Sequence, residues 1–201
     1  MTILTWPTLS RRAPLQLDWS HSFNTQTFTS PLSKAVQTVE MPGARWAFSF
    51  SLNTLAVEDA ALVRAFLMRL RGQSGRFTMW DMSRPAPRGV ATGTPLVKGG
   101  SQVGTTLLTD GWTPSTAGIL KVGDYLGVNG ELKLLVADAN SNAGGEATLV
   151  FEPPLRAAPA DNAPITTTKP TAIFKLDEDS ARWLTTAPVR DSFVITATET
   201  W

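Results

Sequence analysis

A chain of 201 residues, 42% hydrophobic and 17% charged, has enough apolar mass for a real core beneath an ordinary aqueous surface. Its net charge of +1 gives no electrostatic case for binding nucleic acid or an anionic membrane. The absence of cysteine and the single histidine, His21, exclude disulfides, thiolate chemistry and a multi-histidine zinc site.

No apolar run approaches the roughly 20 residues that a membrane-spanning helix needs. The opening residues 1–12 place their charges behind a short apolar stretch broken by Pro7, the reverse of a signal peptide, so no export signal is expected. Pro7, Pro14, Pro31 and Pro42 leave no room for a long helix before residue 44. Short strands are expected around 15–19, 23–28 and 36–39, with Ser30-Pro31-Leu32-Ser33 as a turn.

Residues 45–81 read as strand, helix, strand. Trp46, Phe48, Phe50 and Leu52 alternate with small or polar residues, and Phe77 and Met79 do so again. Between them Val63, Phe66, Leu67 and Leu70 fall at i, i+3, i+4 and i+7, the apolar stripe of a helix over 57–71. Glu58 and Asp59 in its first turn and Arg69 and Arg71 in its last suit the helix dipole, and Gly72 is a natural stop. Asn53 or Thr54 is a candidate cap, and Arg64, Arg69 and Arg71 lie off the stripe, where they can stay solvated.

The proline-rich residues 81–89 read as an exit from a first domain, after which charge thins and turn signals recur as in a small sandwich or barrel. Asn129-Gly130 between 125–128 and 131–136 is the strongest hairpin signal, since both residues accept the positive φ of a type I′ turn. A strand over 146–151 should close at Pro153-Pro154, and residues 157–164 read as a return linker. Strand patterns resume at 172–176 and 192–196, in a tail too short to bury a core alone. The expected architecture is mainly β with one helix: a first domain of 1–89 and 165–201, with 90–164 inserted. A tandem of two domains is the alternative.

Candidate sites are few. His21 has no sequence neighbour that would complete a triad, because Ser20 and Ser22 point to the opposite strand face. The run 138–144 imitates a calcium loop, but its glycine comes late and Leu149 stands where the bidentate glutamate belongs. Asp177-Glu178-Asp179 reads as a solvated turn rather than the separated carboxyl pair of a glycosidase. No catalytic, cofactor or metal residues are therefore assigned. Of seven tryptophans, Trp46 and Trp80 are expected in the core beside the helix. Trp6, Trp112 and Trp201, in turns or at termini, are the candidates for contacts between chains. Trp112 and Tyr125 are the candidates for a glycan contact.

Several stretches together resemble the distal tail protein of siphophages. They are residues 28–38 with Pro42-Gly43-Ala44-Arg45-Trp46, then 65–72 with Gly75-Arg76-Phe77, and later Gly111-Trp112, 120–125 and 153–159. Lys34 departs from the pattern at a turn position where glycine is expected. The resemblance implies a β-sandwich belt domain carrying a helix, a second β-barrel-like domain, and a hexameric ring at the tail tip or baseplate of the virion, made in the bacterial host cytoplasm. It implies a structural protein and not an enzyme, with no cofactor. Its partners would be itself, the tail tube protein and the hub or tip proteins, with the tape measure protein a further candidate. The N-terminal segment around Trp6 and the helix-bearing domain would supply the ring contacts. A carbohydrate-binding module for host adsorption is the alternative function.

Overall fold

The computed structural model describes residues 2–10, 14 and 16–201. Leu15, the expected start of a strand, and Met1, Arg11 and Arg12 of the terminal segment lie outside the described residues. The chain is mainly β. In order it forms β1 (Ile3–Thr5), β2 (Gln16–Ser22), β3 (Thr25–Thr29), β4 (Val36–Glu40), β5 (Arg45–Leu55), helix α1 (Val57–Leu70) and β6 (Arg76–Met79). Then come β7 (Gly93–Val97), β8 (Gly104–Trp112), β9 (Tyr125–Val128), β10 (Glu131–Leu135) and β11 (Ala147–Leu155). It closes with β12 (Ala172–Leu176), β13 (Leu184–Thr186) and β14 (Arg190–Glu199).

Two compact units result: Met1–Phe77 with Phe174–Trp201, and Thr78–Ile173. The first unit ends at Phe77 and resumes at Phe174, closer to the helix and to the terminal strands than the expected limits of 89 and 165. The reason is that the proline-rich stretch is folded structure of the second unit. The buried Asp124 carboxylate accepts the backbone N–H groups of Arg88 at 2.9 Å, Gly89 at 3.0 Å and Lys121 at 2.8 Å.

The first unit is built on a sheet of order β1-β6-β12-β14-β5-β2, with β13 added to β14. On β5 the alternation buries Trp46, Phe48, Phe50 and Leu52, and on β14 it buries Phe193, Ile195 and Ala197. Val63, Phe66, Leu67 and Leu70 of α1 are buried as the stripe requires, together with Ala60 and Asp59. Trp6 joins this core edge-on, its ring 5.2 Å from Phe50 and 5.1 Å from Phe66. Its segment is pinned by Ser10, whose N–H and hydroxyl both donate to the buried Asp59 carboxylate, at 3.0 and 2.5 Å.

The helix ends differ from expectation. Ala56 stands at the N-cap without a side-chain bond, and Asn53 and Thr54 belong to β5. At the other end Arg71 takes the left-handed conformation, φ 53°, and Gly72 follows at φ 65° in a 3-10 turn over Gly72–Ser74. Asp179 Oδ1 accepts the Gln73 N–H of that turn at 3.1 Å, which gives the acidic turn a structural role. Arg64 is not merely solvated. It donates to the buried Asp191 carboxylate at 2.5 Å and lies over the Trp183 ring at 4.8 Å.

The second unit is a small barrel of order β7-β8-β11-β10-β9. Asn129 and Gly130 make the β9–β10 turn with φ 52° and 75°, as their pairing predicts. Residues 162–166, expected as linker, bridge the open sides: Ile165 N–H donates to Pro95 O at 3.0 Å, while Thr166 and Gly127 exchange bonds of 2.8 and 2.9 Å. Closure removes the exposed edges that an open sheet would leave. β11 runs through Pro153-Pro154 instead of stopping there, because its register against β8 shifts between Val150 and Leu155, where missing N–H donors are tolerated.

Replacement of Leu67, 4% exposed between helix and sheet, tests this core directly. Leu67→Ala should lower unfolding stability by about 2–5 kcal/mol in urea titration. A change within error would show that the helix stripe does not carry the packing.

Candidate functional site

The feature that the core does not explain is the β3–β4 ribbon. β2 and β5 pair in register as far as Ser22 and Arg45, and β3 and β4 then continue outward as a separate two-stranded arm, joined Thr25 to Glu40 through Thr29 to Val36. Every residue of both strands is exposed. Five residues per strand carry the arm about 17 Å beyond its root.

The root is braced. The His21 ring sits 4.7 Å from Phe23 and 4.6 Å from Trp46, Met41 N–H donates to Asn24 O at 2.7 Å, and Asn24 Nδ2 donates to Pro42 O at 2.7 Å. His21 thus belongs to the aromatic packing where the arm leaves the sheet. At the tip Ser30 N–H donates to Ala35 O at 2.9 Å, and Lys34, where glycine was expected, takes φ 57°. A non-glycine residue there costs on the order of 1–2 kcal/mol.

The arm's composition is that of a contact surface. One face carries Phe28 and Val39 among Gln26 and Gln37; the other carries Thr25, Thr27, Thr29, Val36 and Thr38, with Glu40 at the root. Phe28 is 56% exposed, and Leu32 at the apex is 94% exposed, with Pro31 beside it. An isolated two-stranded ribbon is marginal in water, and these apolar groups gain nothing from solvent.

The other candidate residues fall apart spatially. Trp6 is 5% exposed in the first core and Trp112 is 3% exposed in the second, so neither is offered to another chain. Trp112 is buried because it faces the barrel interior, where its indole N–H donates to Thr109 Oγ1 at 2.8 Å. This also undoes the glycan pair: Tyr125 precedes the inward-facing Leu126 and so lies on the outer barrel face, away from Trp112. Trp201 alone of the three is exposed, with the Arg45 guanidinium 4.5 Å from its ring. Trp80, expected in the core, lies past the end of β6, with the Lys169 ammonium 5.2 Å from its ring.

The calcium-like run spends its oxygens on backbone. Asp138 accepts from Val122 N–H, Asn140 from Gly118 N–H, and Asn142 from Gly144 and Glu146 N–H. Sequence reading missed a buried ion pair inside the barrel. Lys133 Nζ donates to Glu131 Oε2 at 2.6 Å and to Pro154 O at 2.8 Å, and Glu131 accepts the Arg156 N–H at 3.1 Å. The signal was available, since Glu131 and Lys133 share the strand face of Leu135. Such a pair, fully engaged, ties β10 to the end of β11.

Tyr125 lines an open cleft of about 360 Å3 with Arg84, Arg88 and Asp124. Burial raises its phenol pKa well above the ordinary 10.0, and the charge and hydrogen bond of Asp81 add to the rise. A raised phenol pKa stabilises the fold below pH 10 and loses that contribution as pH climbs further. Tyr125 is the sole tyrosine, so phenolate absorption reports it alone. Folded protein should show almost no phenolate at about pH 11, and Asp81→Asn should lower the midpoint. An ordinary midpoint in folded wild-type protein would contradict the geometry.

No family model matches the chain, and no curated protein was found similar to it in sequence. Among the described residues no helix is long and apolar enough to cross a membrane.

Proposed function

We propose that this chain is a structural component of a phage tail tip, forming a hexameric ring in the virion that joins the tail tube to the distal hub. The observation that carries the reading is the arm: a braced, fully exposed ribbon bearing Phe28, Leu32, Val36 and Val39, which the chain's own core does nothing to cover. A protein acting by assembly needs area to bury between copies rather than groups to activate a bond. The near-neutral charge lets like subunits approach without long-range repulsion. The stretches that resemble distal tail proteins support the particular assembly, because they include the whole of the arm's tip and second strand as far as Thr38. On this reading the ring meets the tail tube protein on one side and hub proteins on the other, with the tape measure protein a further candidate partner, and the chain is not an enzyme.

Excision of the arm tests the reading. Replacing residues 25–40 with a two-residue turn should leave thermal unfolding nearly unchanged, since none of them is buried. The same variant should sediment as a monomer, slightly lighter than the 21.7 kDa of the intact chain, under conditions where the intact chain forms larger species. An intact chain that stays monomeric at every concentration, with or without the tail tube protein, would overturn the proposal.

A further inference from the structure

Resting on that reading, we infer which surface receives the arm: the tip around Leu32 of one copy seats in a slot beside β14 of the next copy. The slot arises from the topology. On the side of β14 away from β5, β12 pairs at residues 197–199 and β13 pairs at 190–192. Between them the loop leaves the sheet after Asp177, whose N–H still donates to Thr196 O at 3.1 Å, and the span of β14 over residues 193–195 lacks a strand neighbour there among the described residues.

A cleft of about 900 Å3 occupies this gap. Buried Leu67, Leu176 and Ile195 and exposed Trp183, Leu184 and Val194 give it its apolar lining, and the rest of the lining is polar, Glu178 and Arg182 included. Its wall is preformed, because Arg64 holds both Asp191 and the Trp183 ring, and Thr185 Oγ1 donates to Asp191 Oδ1 at 2.7 Å. A mostly apolar, preformed concavity of this size suits a turn presenting a leucine and a proline.

The occupant cannot be the chain's own arm. The arm leaves from Arg45, at the start of β5, and the slot borders Asn53 and Thr54, at the other end of the same strand. That separation is about 27 Å along the strand, more than the arm's own reach of about 17 Å. Knob and hole therefore meet only between copies, in a head-to-tail contact whose repetition gives a closed ring or a filament. Charge agrees with this pairing. The tip, residues 30–35, carries one charge, Lys34, for which the slot's lining offers the Glu178 carboxylate, with Arg182 its other charged side chain, while Asp177 and Asp179 bond Thr198 and Gln73 outside it.

The cysteine-free chain gives a clean background for cross-linking. Ser33→Cys places a thiol on the tip and Ser180→Cys places one at the slot, both at exposed positions. Mild oxidation of the two single variants mixed, one carrying a size tag, should give the mixed disulfide dimer. The double variant should give a ladder of covalent oligomers. Adding Leu32→Glu should cut the mixed dimer by about tenfold or more, as expected for an anchor residue, with the circular dichroism spectrum unchanged. If intact protein sediments as an oligomer but the mixed dimer is no more abundant than with Ser33→Cys and Lys121→Cys, the slot is not the receiver, and the assembly reading stands without it. A strict monomer at every concentration would remove both.

Discussion

Burial of one face of β5 is the constraint on which the first unit depends. Trp46, Phe48, Phe50 and Leu52 descend from a single strand into one core, where Phe48 meets Phe174 at 4.8 Å and Phe50 meets Trp6 at 5.2 Å. β5 also pairs with β14 on one side and β2 on the other, so it fixes the sheet as well as the core. The helix lies on this face, and Asp59 and Arg64 use it as a platform to hold the N-terminal segment and the β13–β14 hairpin. The same strand begins at the root of the arm and ends beside the slot. One rigid element thus sets the direction and separation of the two surfaces through which copies are proposed to meet.

The second unit depends on closure instead. Ile119, Leu120, Leu126, Leu149 and Phe151 fill the barrel without exposure. The segment 162–166 seals it by backbone bonds, and the buried Asp124 carboxylate is satisfied by three backbone N–H donors. These carboxylate and backbone bonds account for most of the polar groups that looked like candidate sites in the sequence.

Period made the helix and its flanking strands legible in the sequence, because burial imposes 3.6-residue and two-residue spacing on Val63, Phe66, Leu67 and Leu70 and on Trp46, Phe48, Phe50 and Leu52. The Asn129-Gly130 turn was legible for a local reason, positive φ. What failed was anything decided by distant partners. Proline richness suggested linkers at 81–89 and 157–164, but backbone bonds to Asp124 and across the barrel made folded structure of the first and of the end of the second. Position at a turn or terminus suggested that Trp6 and Trp112 were exposed, but Trp6 packs on Phe50 and Phe66 and Trp112 bonds Thr109 inside the barrel. The arm's strands were legible and its exposure was not, because a half-buried and a wholly exposed ribbon share the same β-branched composition. The slot has no sequence signature, since it is a gap between two strands that pair with a third.

Amide hydrogen exchange of the intact chain, compared between dilute and concentrated solution, tests most directly whether the arm is an element ordered by its partner. The amides of β5 should be protected in both conditions, being core strand bonds. Those of β3 and β4 should exchange rapidly when the protein is dilute and become protected at concentrations where it associates. Arm amides as slow as those of β5 in dilute monomer, or unchanged on association, would contradict the account.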